Sequence, residues 1–365
     1  MKKVGIVSRI HGVNYGANLQ AVALQTALKN IGVESEYINY EVKIPSANLF
    51  RGILTWGFGV VRNFLGYRRR VENTKKFRER YLVLSPSIKT KKELSEYSRN
   101  YSTLMAGSDQ IWNPRYYPLS NGLYLLSFND NIRKVSYASS FGIKHLPDDF
   151  KKIYKEELSK FDSLSVREQE GIEILKEIGL NDVIQSIDPT LLFDSKHWEN
   201  YFDYKPIVKE DYICCYVMTG ADDLNKFIIS KARELQKQLS GNEQIIIFGE
   251  KEYKGIGAKE IYVRTAGPAE FLNYIFNAKY VLTSSFHGTC FSLIFNKQFF
   301  SILSCKNKFN SRIENLLKKV HQERRIIYME NNHDFELLEV DYSTVNKILE
   351  QERLLSMDYL KQLSL

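Results

Sequence analysis

A chain of 365 residues with 44% hydrophobic content can bury substantial cores and is longer than one compact domain usually is, so two domains are expected. Lysine and arginine outnumber aspartate and glutamate by 51 to 43, and the net charge of +8 suits anionic partners; no nucleic-acid motif and no basic stretch regularly interleaved with aromatics is present, which sets nucleic acid aside. The four cysteines, Cys214, Cys215, Cys290 and Cys305, show no C-x-x-C or other metal spacing and are expected as reduced core thiols rather than disulfides or metal ligands.

The opening run Met-Lys-Lys-Val-Gly-Ile-Val-Ser-Arg is apolar only briefly; it reads as a first strand rather than a secretory signal, and a cytoplasmic protein is expected. Residues 4–8 form that strand, 9–16 a loop, 17–31 a helix closed by Gly32 and 34–39 the next strand, a β-loop-α-β unit. Residues 44–80 stand apart, because Trp56, Phe58 and Phe64 mix with Arg51 and Arg62 before a run from Arg68 to Arg80 rich in arginine and lysine. The apolar part is too short and interrupted to span a bilayer. It fits a helical insertion packed on its own domain with a solvated basic face, or a peripheral contact of residues 49–80 with an anionic inner membrane face.

Short apolar runs then recur at 101–106, 134–138, 163–166 and 183–187, separated by loops and by a helix at 168–178 closed by Gly179. A second series has strands at 212–218, 244–248, 260–263, 280–283 and 298–302, with helices at 222–239, 268–277 and 311–320. Such alternation predicts parallel, doubly wound sheets: an α/β fold of two similar domains facing a central cleft. The expected boundaries are 1–195, carrying the insertion at about 44–95, and 196–365, whose last helix at 343–363 packs back on the first domain.

Three loops carry candidate chemistry. At 280–290, Tyr-Val-Leu-Thr-Ser-Ser-Phe-His-Gly-Thr-Cys runs from an apolar strand into a polar loop that presents His287 beside Gly288. The apolar residues that follow predict a buried helix from about residue 289, whose first N–H groups stand by the imidazole and suit an anion and a proton donor together. A histidine hydrogen-bonded within a turn is the plainer alternative. The loop Gly107-Ser108-Asp109-Gln110-Ile111-Trp112 also follows a strand; carboxylate and amide can bind sugar hydroxyls, the indole can cover an apolar sugar face, and Asp109 can take a proton from an attacking hydroxyl. Alternatively Asp109 caps a short helix and Trp112 is core. The first loop places Asn14, Tyr15, Gly16, Asn18 and Gln20 at a helix start, suited to anions and hydroxyls but equally explained as cap and turn residues. Arg167 ends a strand, where it can hold a phosphate or carboxylate or pair with Glu168 or Glu170, and Lys306, Lys308 and Arg312 either make the second domain's cleft positive or are surface basics.

Taken together, Asn14-Tyr15-Gly16-Ala17-Asn18-Leu19-Gln20, Gly107-Ser108-Asp109-Gln110-Ile111-Trp112, Ser165-Val166-Arg167-Glu168, Asp188-Pro189-Thr190 and Ser284-Ser285-Phe286-His287-Gly288-Thr289 resemble the polysaccharide pyruvyl transferase family, in the family's order over roughly residues 4–320. The resemblance implies two Rossmann-like domains in a GT-B-like arrangement, phosphoenolpyruvate as co-substrate, no metal or cofactor, and a pyruvate ketal formed on a free or lipid-linked saccharide of a capsule, exopolysaccharide or wall precursor. It makes His287 the general acid, with Arg167, Lys308, Arg312, Ser285 and Gly288 on the donor side. Asn14, Tyr15, Gly16, Asn18, Gln20, Ser108, Gln110 and Trp112 fall to the acceptor, beside Asp109. One position departs from the family pattern: where an arginine often precedes this histidine by two residues, the chain has Ser285. The chemistry needs an acid that titrates near neutrality and several cations, which histidine, arginine and lysine supply. A nucleotide-sugar glycosyltransferase of the same build and a non-catalytic glycan-binding or assembly protein are the competing readings.

Overall fold

The structure, a computed structural model, describes residues 3–40, 58–120, 122–218, 220–249, 260–306, 310–331, 335, 337–363 and 365. They divide into two compact units. Unit 1 takes the described residues of Met1–Ser46, Arg78–Leu192 and Leu349–Leu365; unit 2 takes those of Ala47–Phe77 and Phe193–Ile348.

Unit 1 is built on β1 (Lys3–Val7), α1 (Tyr15–Asn30), β2 (Glu34–Tyr37), the end of α2 (Phe58–Tyr81), α3 (Lys91–Ser98), β3 (Thr103–Ala106), α4 (Tyr117–Ser120), β4 (Arg133–Ser136), α5 (Asp148–Leu158), β5 (Leu164–Val166), α6 (Gln169–Glu177) and β6 (Val183–Gln185). Its sheet runs β2-β1-β3-β4, all parallel, and the parallel pair β5-β6 continues it through the bridges Val135↔Ser163 and Ser139↔Val166. The join is imperfect because Ala138, at φ 47, sits in the left-handed region and ends β4 earlier than its apolar run predicts. Parallel strands are covered on both faces, which is why β3 reads Thr-Leu-Met-Ala with every residue buried. Helix α1 is likewise buried on nearly all sides, its buried residues including Asn18, Gln20 and Gln25, and packs against Pro189–Leu192.

Unit 2 holds α7 (Ser195–Trp198), β7 (Tyr212–Tyr216), α8 (Asp222–Gln238), β8 (Gln244–Phe248), β9 (Glu260–Val263), α9 (Pro268–Phe276), β10 (Tyr280–Thr283), α10 (Phe286–Ile294), β11 (Gln298–Leu303), α11 (Ser311–Lys319) and β12 (Ile326–Tyr328). Its six strands are all parallel in the order β9-β8-β7-β10-β11-β12. Counted from β7, that is third, second, first, fourth, fifth, sixth: the Rossmann order, with its reversal between β7 and β10. The α/β class with parallel Rossmann-like sheets is therefore as the alternation of strands and helices predicts.

The chain passes between the units inside α2 and again inside α12 (Tyr342–Gln362). The part of α2 that falls in unit 2 is tied there by Asn73, whose amide donates to the Thr265 carbonyl at 2.9 Å, and Gly66 lies against Arg264. The described residues 58–77 thus group with unit 2. In the last helix, Ser356 Oγ accepts from Ile187 N at 3.1 Å and Tyr359 Oη donates to Ser136 O at 2.9 Å, both inside unit 1. Residues 41–57 of the basic segment lie outside the described residues, and among those described no helix is long and apolar enough to cross a membrane. Cys214, Cys215 and Cys290 are buried free thiols, with Cys214 pushed up to about 12 by burial, whereas Cys305 is exposed, in a turn after β11 rather than in the core.

Candidate active site

In unit 1 the strand order reverses at β1, which has β2 on one side and β3 on the other, so the loops leaving β1 and β3 diverge at the sheet's carboxyl edge. Polar side chains lock both loops. Asn14 caps α1 by accepting from Ala17 N at 3.1 Å; Asn18 Nδ2 donates to the carbonyls of Asn14 at 2.7 Å and Gly12 at 3.1 Å. Gln20 Nε2 reaches Ser8 Oγ and Ala17 O, Ser8 Oγ donates to Ser108 O at 2.8 Å, and Ser108 Oγ donates to Ala138 O at 2.9 Å. Arg78 closes the loop from the end of α2, donating to Ile10 O and Gly12 O, each at 3.1 Å. Tyr15, Gly16, Asn18 and Gln20, on the first turns of α1, and Ser108 are all buried, while Asn14 is exposed but capping.

Trp112 is completely buried: its indole N–H donates to Tyr124 O at 3.1 Å and its ring packs against Phe141 and Phe161. The stacking platform for a sugar expected from sequence is therefore filled by the protein's own aromatics. Asp109 sits in the left-handed region at φ 75, and its carbonyl accepts from Ile111 N and Ser140 N. Gln110 packs against Gly142, whose φ of 62 also favours glycine.

Arg167 lies just past β5 with a guanidinium only 3% exposed, 2.6 Å from Asp188 and 3.6 Å from Glu168. Glu168 is held in turn by Ser140 Oγ and Gly142 N, and Asp188 by the Thr190 N–H and hydroxyl. Burial pulls the guanidinium pKa down, but Asp188, Glu168 and Asp109 outweigh it and the net direction is upward. The donor contact expected of Arg167 meets a guanidinium already bracketed by two carboxylates. Arg9 follows the same electrostatics with less enclosure: burial lowers its pKa, Asp109 and Tyr116 raise it, and its guanidinium lies 4.0 Å over the Tyr116 ring. Sequence reasoning missed Arg9; its position two residues past a strand end was the available signal.

In unit 2 the site forms at the reversal between β7 and β10. Helix α10 begins at Phe286, three residues earlier than its apolar run suggests, because Ser285 caps it: Ser285 Oγ accepts from Gly288 N at 3.4 Å and Ser285 N donates to Thr283 Oγ1 at 3.0 Å. His287 consequently stands on the helix's first turn, 6% exposed, edge-on to Phe286 at 5.3 Å. Gly288 permits the close approach, since a Cβ there would lie 2.5 Å from Thr283 Oγ1. Ser284 Oγ is buried with no hydrogen-bond partner among the described residues. Arg312, from the first turn of α11, holds its guanidinium 5.7 Å over the Phe286 ring, the ring that also flanks His287. Lys306 is exposed, and Lys308 lies outside the described residues. The structure thus gathers Ser285, His287, Gly288 and Arg312 in unit 2, and Asn14 to Gln20, Ser108 to Trp112 and Arg167 in unit 1. Among the described residues no group of three or more His, Cys, Asp or Glu could hold a metal ion.

Among solved structures, the UDP-GlcNAc 2-epimerase of Methanocaldococcus jannaschii in complex with UDP-GlcNAc and UDP is similar at a TM-score of 0.51, with 12% identity over 97% of this chain and 93% of that one. The S. aureus MnaA–UDP co-structure is similar at 0.52, with 12% identity over 98% and 90% of the two chains. Identity that low carries the fold alone. No curated protein matches the chain by sequence. Residues 14–306 match the polysaccharide pyruvyl transferase family, a span that includes the loop leaving β3, Arg167 and the His287 turn; the chain belongs to that family of transferases.

Proposed function

We propose that the protein transfers the enolpyruvyl group of phosphoenolpyruvate to a saccharide of a cell-surface polysaccharide precursor and closes it to a pyruvate ketal, with His287 as general acid. The observation that carries this reading is the position of His287: on the first turn of α10, at the strand-order reversal of a Rossmann sheet, in a chain of this family. In the proposed sequence His287 gives its proton to C3 of phosphoenolpyruvate and C2 becomes electrophilic. A sugar hydroxyl then bonds to C2, the C2–O bond to phosphate breaks with that hydroxyl's proton leaving on the phosphate, and a second hydroxyl closes the ketal at C2, its proton restoring the acid. The helix start and Arg312 favour the developing phosphate. The direct donor contact that the resemblance puts on Arg167 is left out of the proposal, because Asp188 and Glu168 already hold that guanidinium. The reaction, in this reading, is cytoplasmic, takes a free or lipid-linked acceptor and uses no metal or cofactor.

The likeness to UDP-bound epimerases favours one second reading, a nucleotide-sugar transferase in which the α10 start receives a diphosphate. Thermal stabilisation by phosphoenolpyruvate beside a panel of nucleotide sugars separates the two, because a ligand that binds only the folded state raises its melting temperature. The proposal expects a shift with phosphoenolpyruvate and phosphate release that requires an acceptor sugar. A shift with nucleotide sugars alone would replace it with the second reading.

A further inference from the structure

Many of the polar side chains that shape the carboxyl edge of unit 1 point back into the protein. Ser8, Asn18, Gln20 and Ser108 bond to backbone or to one another, and Arg78 closes on two carbonyls of the same loop. Arg167 is buried between Asp188 and Glu168. Arg9 is held differently. It is half-buried, two residues past the end of β1, and its guanidinium lies 4.0 Å from the Tyr116 ring centroid and is also hydrogen-bonded to Tyr116.

That ring is itself fixed. Asn113, buried, caps the turn Pro114–Tyr116 by accepting from Arg115 N at 3.1 Å, so Tyr116 is presented from a defined turn beyond β3. A second guanidinium, that of the exposed Arg115, lies 5.1 Å from the same ring. A guanidinium lying on an aromatic face keeps its in-plane N–H groups for a partner, and these match the two oxygens of a carboxylate or phosphate. The charge of Asp109, on the loop that diverges from its own at the sheet edge, favours the charged form of Arg9 against the opposing effect of burial.

We infer that Arg9 is the anion-binding guanidinium of unit 1, receiving a phosphate or carboxylate group at the carboxyl edge of β1 and β3 while Arg167 braces the sheet end behind it. The inference stands on the geometry of unit 1 and not on the donor proposed above. Phosphoenolpyruvate and the diphosphate of a lipid-linked acceptor both carry such a group.

Phenylglyoxal labelling of the intact protein, mapped by peptide mass spectrometry, tests it with inorganic phosphate, phosphoenolpyruvate and pyrophosphate as protecting anions. Arg9 is expected to react at least about ten-fold faster than Arg167, and at least one anion is expected to slow Arg9 several-fold. In Arg9→Gln the apparent affinity for the protecting anion, read as the anion concentration that stabilises the protein against heat, should fall about ten-fold or more, the loss of one charge-assisted pair, with circular dichroism unchanged; Arg9→Lys should fall between. Protection by phosphoenolpyruvate assigns the group to the donor, and protection by pyrophosphate alone assigns it to a diphosphate-bearing acceptor. Protection by any of the three without pyruvyl transfer would keep the assignment of Arg9 and sink the proposed reaction. Arg9 labelling that no anion slows, or Arg167 reacting as fast and being protected in its place, would overturn it.

Discussion

A Cβ placed on Gly288 would meet the Thr283 side chain at three atoms within 3.0 Å, and Thr283 is pinned by its own bonds to Tyr216 O and Ser285 N. The glycine therefore answers to packing and its neighbour His287 to chemistry, and substitution should separate them. Gly288→Ala is expected to cost about 1–3 kcal/mol of stability, read as a lower denaturation midpoint. His287→Gln is expected to leave that midpoint in place and cut transfer by about 10²–10⁴-fold in a phosphate-release assay; a variant that turns over normally would remove the acid role. Arg167→Ala belongs with the first kind, because it strands Asp188 and Glu168 beside each other in the interior. A loss of about 3–5 kcal/mol is expected, visible as unfolding well below the wild-type temperature. Residue types alone do not make this distinction. Asn18, Gln20 and Trp112 look like sugar contacts in sequence, yet their partners are backbone carbonyls, the Ser8 hydroxyl and aromatics, and the bond from Ser8 Oγ to the Ser108 carbonyl joins residues 100 positions apart.

At the scale of elements, every strand but β12 is legible, because parallel strands buried on two faces appear as unbroken apolar runs bounded by loops and glycines, whereas β12 is only three residues long and α3 and α5 also escape the sequence reading. The start of α10 is less legible: its first turn, Phe-His-Gly, is a poor helix former, and only the Ser285 cap reveals it. The grouping of residues 58–77 with unit 2 is not legible at all, since it depends on bonds such as Asn73 to Thr265 that no local pattern announces. The last helix is the element whose loss should be felt furthest from itself. Leu349, Tyr359, Leu360 and Leu363 are buried, and Ser356 and Tyr359 bond to residues at the β4 and β6 ends of the unit 1 sheet. Removing residues 349–365 is expected to expose that sheet and make unit 1 cleave first in limited proteolysis, with unit 2 persisting as the resistant fragment.

For the whole molecule, charge pairs at the base of unit 2 set a pH dependence. Burial raises the Glu243 carboxyl, but hydrogen bonds from Lys279 at 2.8 Å and Ser240 at 3.0 Å outweigh that and bring it down to about 2, below its ordinary 4.5. A carboxylate whose folded pKa lies below its unfolded one stabilises fully above the unfolded value and loses that stabilisation as pH falls through the folded one. The melting temperature of the wild type should therefore drop between about pH 4.5 and pH 2 more steeply than that of Glu243→Gln; parallel curves would remove this pair as a cause. The route of the chain through its two units has a further consequence, for the order in which they are made. On a ribosome, β1 to β6 emerge first, but the helix end that covers the ends of β4 and β6 is translated only after all six strands of unit 2. The nascent amino-terminal sheet thus waits, its flank uncovered, while the later sheet forms from contiguous chain, so the unit translated first is the one finished last.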